Sequence, residues 1–171
     1  LLALGGIFGA FWLGLVFGLM RLSRNLWVKL PSVAYIEIVR GTPLLLMVFW
    51  FYFLAPVLLG KTLPSFQSSL IAFIVFTGAY VAEIVRAGVM ALPKGQMECA
   101  RSLGLPYLTA MRTVVLPQGL RNSLPSLVNQ FISTIKETSL GYIIGLTEVS
   151  FIANQINTLT FTKPAEVFGI L

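Results

Sequence analysis

The chain has 171 residues, 57% of them hydrophobic and 11% charged, and a mean hydropathy of +0.88 that excludes an ordinary soluble globular domain. Twelve basic residues against six acidic ones give a net charge of +6, and because the basic residues are spread between apolar runs the excess belongs to membrane topology, not to nucleic-acid binding. The sequence contains neither His nor Asp and a single Cys, so a His-based triad and an internal disulfide are excluded, and a metal cage would need Glu, Cys99 and backbone carbonyls alone.

Catalysis within such a chain is not expected, and no residues are assigned to a metal. Cys99 reads as a small apolar space-filler and not as a nucleophile. The chain opens on Leu1 with no Met or basic segment ahead of its apolar run, which does not match a signal peptide. Both ends look clipped, since Phe168-Gly169-Ile170-Leu171 stops as an apolar run begins.

The first span is Leu1 to Met20, free of charge and long enough to cross ~30 Å of hydrocarbon. Gly5 with Gly9, and Gly14 with Gly18, are each four apart; this permits close helix contact or reflects the ordinary glycine enrichment of membrane helices. Arg21, Arg24 and Lys29 follow, a cluster that the positive-inside tendency places in the cytoplasm, with the N-terminus of the chain outside. Pro31 is expected to begin a short interfacial helix ending at Arg40-Gly41, and Thr42-Pro43 to start the next span, with the hydroxyl as cap.

Leu44 to Leu59 is the second span, followed by a short external link from Gly60 to Ser65. Gly60-Lys61-Thr62 resembles the end of a phosphate-binding loop only superficially, because that motif needs Gly where this chain has Ala55. The third span, about Phe66 to Val85, contains Glu83. A charge at bilayer depth costs about 2.5 to 3.5 kcal/mol, so Glu83 should face protein, water or the inner interface. Arg86, three residues on, can pair with it on one helical face, either as a structural ion pair or as part of a substrate or gate contact.

The longest polar segment runs from Arg86 to Arg121, with five basic residues against Glu98, and belongs on the cytoplasmic side. Pro93 is expected to start a helix that Gly104 stops, and Pro106 a second that Pro117 ends. Leu108, Met111 and Val115 would share one apolar face of the second helix. The run from Leu124 to Leu146 then includes Asn129, Gln130, Lys136, Glu137, Thr138 and Ser139, with Gly141 and Gly145 behind. It reads either as a broken, pathway-lining segment or as a buried polar contact between helices. Asn154 to Lys163 would be external, ahead of a truncated last span near Glu166.

Glu98, Ala100, Gly104, Val114, Leu116 and Pro117 follow the pattern Glu-x-Ala, a Gly six after the Glu, then an aliphatic residue and Leu-Pro. This resembles the cytoplasmic loop by which permease subunits of bacterial ABC importers dock on their ATPase. Cys99 stands where Ala is typical and Val114 where Ile is, both conservative in size. Further segments resemble the polar amino-acid uptake branch: Arg40-Gly41-Thr42-Pro43-Leu44-Leu45, Ala82-Glu83-Ile84-Val85-Arg86-Ala87-Gly88, Pro93-Lys94-Gly95-Gln96 and Lys136-Glu137-Thr138-Ser139-Leu140.

The resemblance implies an all-α membrane protein of the type-I ABC importer permease fold. It would form a single transmembrane domain over 1–171 with about five helices, the last truncated, and a cytoplasmic coupling loop at about 91–121. It implies a multi-pass subunit of the bacterial inner membrane that pairs with a second permease, identical or not. A dimer of ATPase subunits would bind ATP and Mg, none being bound by this chain, and an external solute-binding protein would deliver a polar amino acid such as glutamate, aspartate or glutamine. No nucleic acid is involved.

Glu98, Cys99, Ala100, Gly104, Leu105, Leu116 and Pro117 would carry the coupling. Glu137, Thr138 and Ser139 are the first candidates for substrate, a carboxylate for the α-ammonium and hydroxyls for the α-carboxylate, with Glu83 and Arg40 as further candidates at a gate. The competing readings are a noncatalytic membrane scaffold or regulator that binds a cytoplasmic partner, and a channel or ion-coupled amino-acid carrier.

Overall fold

The computed structural model describes residues 2–60 and 64–144. The expected polar stretch from Asn154 to Lys163 and the last span near Glu166 lie outside the described residues. Every element among the described residues is helical. In chain order they are α1 (Leu2–Arg21), α2 (Leu26–Arg40), α3 (Leu44–Phe49), a π-helical turn (Trp50–Leu54), α4 (Ala55–Leu59), α5 (Ser65–Met90), α6 (Gly95–Ser102), α7 (Tyr107–Ala110), a second π-helical turn (Met111–Val115), α8 (Leu116–Glu137) and a 3-10 segment (Thr138–Ile144).

The helix α5 is the axis of the fold. Of its most apolar 18-residue window 61% is buried, against 28% for α1. The two pack closely because α1 presents Gly6, Ala10, Gly14 and Gly18, four apart, as its buried stripe. A Cβ on Gly14 would lie 2.6 Å from Val81 Cβ, and one on Gly18 would lie 2.8 Å from the Ala82 carbonyl oxygen. Gly5 and Gly9, the other predicted close contacts, face Leu70 and Ile74 at the margin of this stripe. Since Gly5, Gly9, Gly14 and Gly18 meet Leu70, Ile74, Val81 and Ala82 in ascending order, α1 and α5 run parallel.

Parallel neighbours require the chain between them to return across the same thickness. That return is made by α2 and the helix from Leu44, bent by 106° at the break between them. With α1 and α5 each long and apolar enough to cross a membrane, the bent pair makes a third crossing when counted as one span.

The bend differs in detail from the sequence expectation. Asn25 starts α2, its side chain accepting from Trp27 N at 3.0 Å, so Pro31 lies inside the helix and not at its first turn. Thr42 closes α2, donating to the Ile38 carbonyl at 2.8 Å, and provides no cap for α3, whose N-cap is Pro43. Ser32 donates to the Phe17 carbonyl at 2.6 Å and the Tyr35 hydroxyl to the Val75 carbonyl at 2.6 Å, fastening α2 to both α1 and α5.

The helix α8 runs antiparallel to α5. Thr77 meets Thr134 and Gly88 meets Ser123 and Gly119, so sequence numbers rise on one helix as they fall on the other. The two stay together for about 22 Å at 1.5 Å per residue, most of the thickness of a bilayer core. Pro117 does not end a helix as expected. It lies two residues into α8, inside a helical run continuous from Tyr107, and the π-helical turn before it, in which Leu116 N–H bonds the Met111 carbonyl five residues back, carries the chain through.

Candidate functional site

The surface of α8 divides into three faces. Gly119, Ser123, Leu127 and Thr134 are buried and point at α5. Leu124, Val128, Ile132 and Ile135 form an exposed apolar face. Asn122, Ser126, Asn129 and Ser133 are exposed and Gln130 and Glu137 half-buried, and at 100° per residue these six fall on the remaining third of the helix. The result is a polar stripe about four turns long on a helix that lies alongside a membrane-length neighbour. Hydrocarbon does not tolerate such a face, which must meet water, substrate or protein.

Glu137, Thr138 and Ser139 sit where α8 gives way to the 3-10 segment. Glu137 Oε2 is buried and makes no hydrogen bond among the described residues. An acceptor held this way has capacity left for a cationic donor. Thr138 is buried and donates to the Ile135 carbonyl at 2.7 Å, whereas Ser139 is exposed. The expected break in this segment therefore comes after Glu137; from Leu124 to that point the helix is continuous despite Pro125.

Glu83 lies at the other end of the stripe. It borders a cleft of about 300 Å³ whose wall includes Gly88, Asn122, Ser123 and Ser126. Its carboxylate takes the Arg86 guanidinium, with Nε at 3.0 and 3.1 Å from the two oxygens, as the three-residue spacing led us to expect. Arg21 of α1 joins this pair at 3.1 Å and also holds Glu37 of α2 at 2.7 Å. Three helices thus converge on two carboxylates. Arg40 is not part of this cluster: its guanidinium lies 5.3 Å from the Tyr80 ring centroid, in cation–π geometry.

The five proposed substrate residues therefore fall into three places. Taking Thr77 and Thr134 as level, Glu83 and Glu137 stand roughly 13 Å apart along the helix axes. Asn122, Ser126, Asn129 and Ser133 connect them; of these only Asn129 is named in the sequence reading, as a polar residue of the Leu124 to Leu146 run. Their spacing of four, three and four, continued to Glu137, was the available signal.

In the 91–121 segment, α6 ends in a Schellman motif. Gly104 has φ +83°, its N–H bonds the Arg101 carbonyl at 3.0 Å, and Leu105 N–H bonds the Ala100 carbonyl at 3.2 Å. Gly104 thus stops the helix as expected. Glu98, Cys99 and Gly104 are exposed, as is Pro117; Leu105 and Leu116 are half-buried and Ala100 is buried. The exposure of Cys99 overturns its assignment as a space-filler within this chain. Leu108, at 78% exposure, and Val115, at 5%, do not share a face either, because the π-helical turn between them shifts the register.

Two contacts tie this segment to its surroundings, one between its own two ends and one to the turn between α1 and α2. Gln118 of α8 donates to Gln96 of α6 at 3.3 Å, and the Arg24 guanidinium lies 5.9 Å from the Tyr107 ring centroid.

The profile of the family described as "Binding-protein-dependent transport system inner membrane component" matches residues 10–171. The chain is 39% identical over 153 residues to "Probable glutamine ABC transporter permease protein GlnM" of Bacillus subtilis, covering 89% of this chain and 70% of that protein. It is 36% identical over 164 residues to "Arginine transport system permease protein ArtQ" of the same organism, covering 93% of this chain and 74% of that one. It spans 59% and 63% of two Rickettsia relatives.

Among solved structures, that of an amino acid ABC transporter with histidines matches with a TM-score of 0.88 and 36% identity, over 99% of this chain and 80% of that one. The MetNI methionine ABC transporter matches in fold, with a TM-score of 0.81 at 20% identity. Its named relatives are permeases and not enzymes, and the chain belongs to the binding-protein-dependent transport system inner membrane components, with the type-I ABC importer permease fold.

Proposed function

We propose that the chain is the transmembrane subunit of an ATP-driven amino-acid importer and that the polar face of α8 lines its translocation pathway. The observation that carries this reading is the stripe from Asn122 to Glu137 on a helix held beside α5 through membrane depth. A pathway for a zwitterion needs donors and acceptors spaced along it, with charge at few points, and this stripe has amides, hydroxyls and one carboxylate. A scaffold has no use for such a face.

In this reading the ends of α1 and α5 that carry Arg21, Arg24, Lys29 and Arg86 face the cytoplasm of a bacterial cell, as the excess of basic residues favours. The 91–121 segment then forms the coupling loop. ATP and Mg are bound by a partner ATPase dimer, whose closure moves α6 and, through Gln96 and Gln118, the foot of α8. A second permease faces the stripe, and a solute-binding protein delivers substrate from outside. Relatives named for glutamine and for arginine share the α-amino acid moiety, which the Glu137 carboxylate and the exposed Ser139 hydroxyl are suited to hold. Coupling of this kind requires each conformational state to have its own contacts.

The test is reconstitution of the full-length chain with its second permease and ATPase in vesicles. Hydrolysis stimulated by an amino-acid-loaded binding protein, with uptake of that amino acid, is expected. Uptake driven by an ion gradient without ATP would contradict the reading.

A further inference from the structure

Where α1, α2 and α5 meet beside Arg21 and Arg86, a cleft of about 560 Å³ opens to the surface, a size common to small-ligand sites. Arg21, Ser23, Lys29 and Arg86 line it, with Val33 and Met90. Two carboxylates, Glu37 and Glu83, are already engaged by Arg21 and Arg86, whereas Lys29 has no carboxylate within ion-pair distance among the described residues. Three cations against two acids leave the cleft net positive. Arg21 Nη1 is buried against the Glu83 carboxylate at 3.1 Å, so among the described residues the unpaired charge at the cleft is that of Lys29.

The rim distinguishes a lipid from a dissolved anion. Leu26 and Leu30 flank Lys29 and Val33 on the α2 surface, and both are exposed; Met90, which lines the cleft, is 64% exposed. Apolar side chains around a basic recess suit a membrane interface, where a headgroup enters the polar part and acyl chains cover the apolar rim.

We propose that this cleft binds the phosphate group of an anionic membrane lipid, with Arg21, Lys29 and Arg86 as its cationic wall. Bound there, the lipid would brace α1, α2 and α5 against one another at the ends from which the 91–121 segment departs. The cleft shares the Glu83 ion cluster with the foot of the polar stripe but opens elsewhere, and its test does not depend on transport.

The experiment is native mass spectrometry of the assembled transporter, purified in neutral detergent and titrated with phosphatidylglycerol or phosphatidylcholine. Preferential retention of phosphatidylglycerol is expected. Lys29→Gln, at an exposed position, should weaken that retention about 5-fold, the scale of one basic residue at an anionic surface. Met90→Glu should lower it further, and Lys94→Gln, outside the cleft, should leave it unchanged. Equal retention of the two lipids, or equal losses in Lys29→Gln and Lys94→Gln, would overturn the proposal. So would displacement of phosphatidylglycerol by an equal concentration of inorganic phosphate, which would make a dissolved anion the ligand.

Discussion

The hydroxyls of Thr77 and Thr134 lie 3.1 Å apart, both fully buried, and join α5 to α8 across 57 residues of sequence. This contact joins Gly119, Ser123 and Leu127 in the face of α8 buried on α5, which leaves the polar stripe on the neighbouring third of the helix. Thr134 also donates to the Gln130 carbonyl at 3.0 Å, one turn back, so its hydroxyl keeps a partner when Thr77 is changed. Thr77→Val and Thr134→Val, singly and together, should therefore show a modest coupling of about 0.6 kcal/mol, the usual scale for interhelical hydrogen bonds in membranes. Thermal or denaturant unfolding in detergent measures it, and strictly additive losses would deny the contact its role in joining the two helices.

Gly88 closes the same interface nearer the 91–121 segment. A Cβ there would collide with Ser123 Oγ and lie 2.5 Å from the Gly119 carbonyl oxygen, which cannot rotate away. Gly88→Ala should destabilise the subunit by about 1–3 kcal/mol through overpacking. Gly95→Ala, where a Cβ meets nothing within 4 Å, is the control and should be silent in the same melt.

At Gly104 the constraint is conformational, since φ is +83° and the added Cβ has open space. Gly104→Ala should cost about 1–2 kcal/mol locally, and Gly104→Asn less, because Asn tolerates the left-handed region. We expect the same order in coupling, with Gly104→Ala lowering substrate-stimulated hydrolysis more than Gly104→Asn. Glu98→Lys, at an exposed site, should reduce both transport and stimulated hydrolysis while membrane insertion, read by fractionation, stays intact.

Glu137→Gln keeps shape and removes charge. If Glu137 holds the α-ammonium group, uptake at low substrate should fall roughly tenfold, the scale of one hydrogen bond to a charged group. An uptake curve that overlays wild type would remove Glu137 from the pathway.

How far the sequence foretold this depends on the kind of signal. The spans α1 and α5 were readable because uncharged runs of bilayer length announce themselves, and Gly104 because a helix stop of this kind favours glycine. The start of α2 was misplaced because Pro31 drew attention from Asn25, whose cap is the stronger start. Pro117 was misread for the opposite reason: proline both follows helices and opens them, and a π-helical turn before it let the helix continue. The ion cluster of Arg21, Glu37 and Glu83 was invisible beyond Glu83 and Arg86, since only the three-residue spacing is local. The sequence reading of Leu124 to Leu146 as a candidate pathway-lining run held Asn129 and Gln130, but the conspicuous charges at 136 and 137 drew attention from Asn122, Ser126 and Ser133, whose spacing completes the stripe.

The central claim, that this face of α8 is the wet one, is tested most directly by cysteine accessibility in the assembled transporter. In a Cys99→Ser background, single cysteines at Ser126, Asn129 and Ser133 should react with a membrane-impermeant thiol reagent, and loading with substrate and its binding protein should slow them. Cysteines at Val128 and Ile132, on the apolar face at the same depth, should not react. Equal labelling of the two faces, or labelling confined to 128 and 132, would contradict the account.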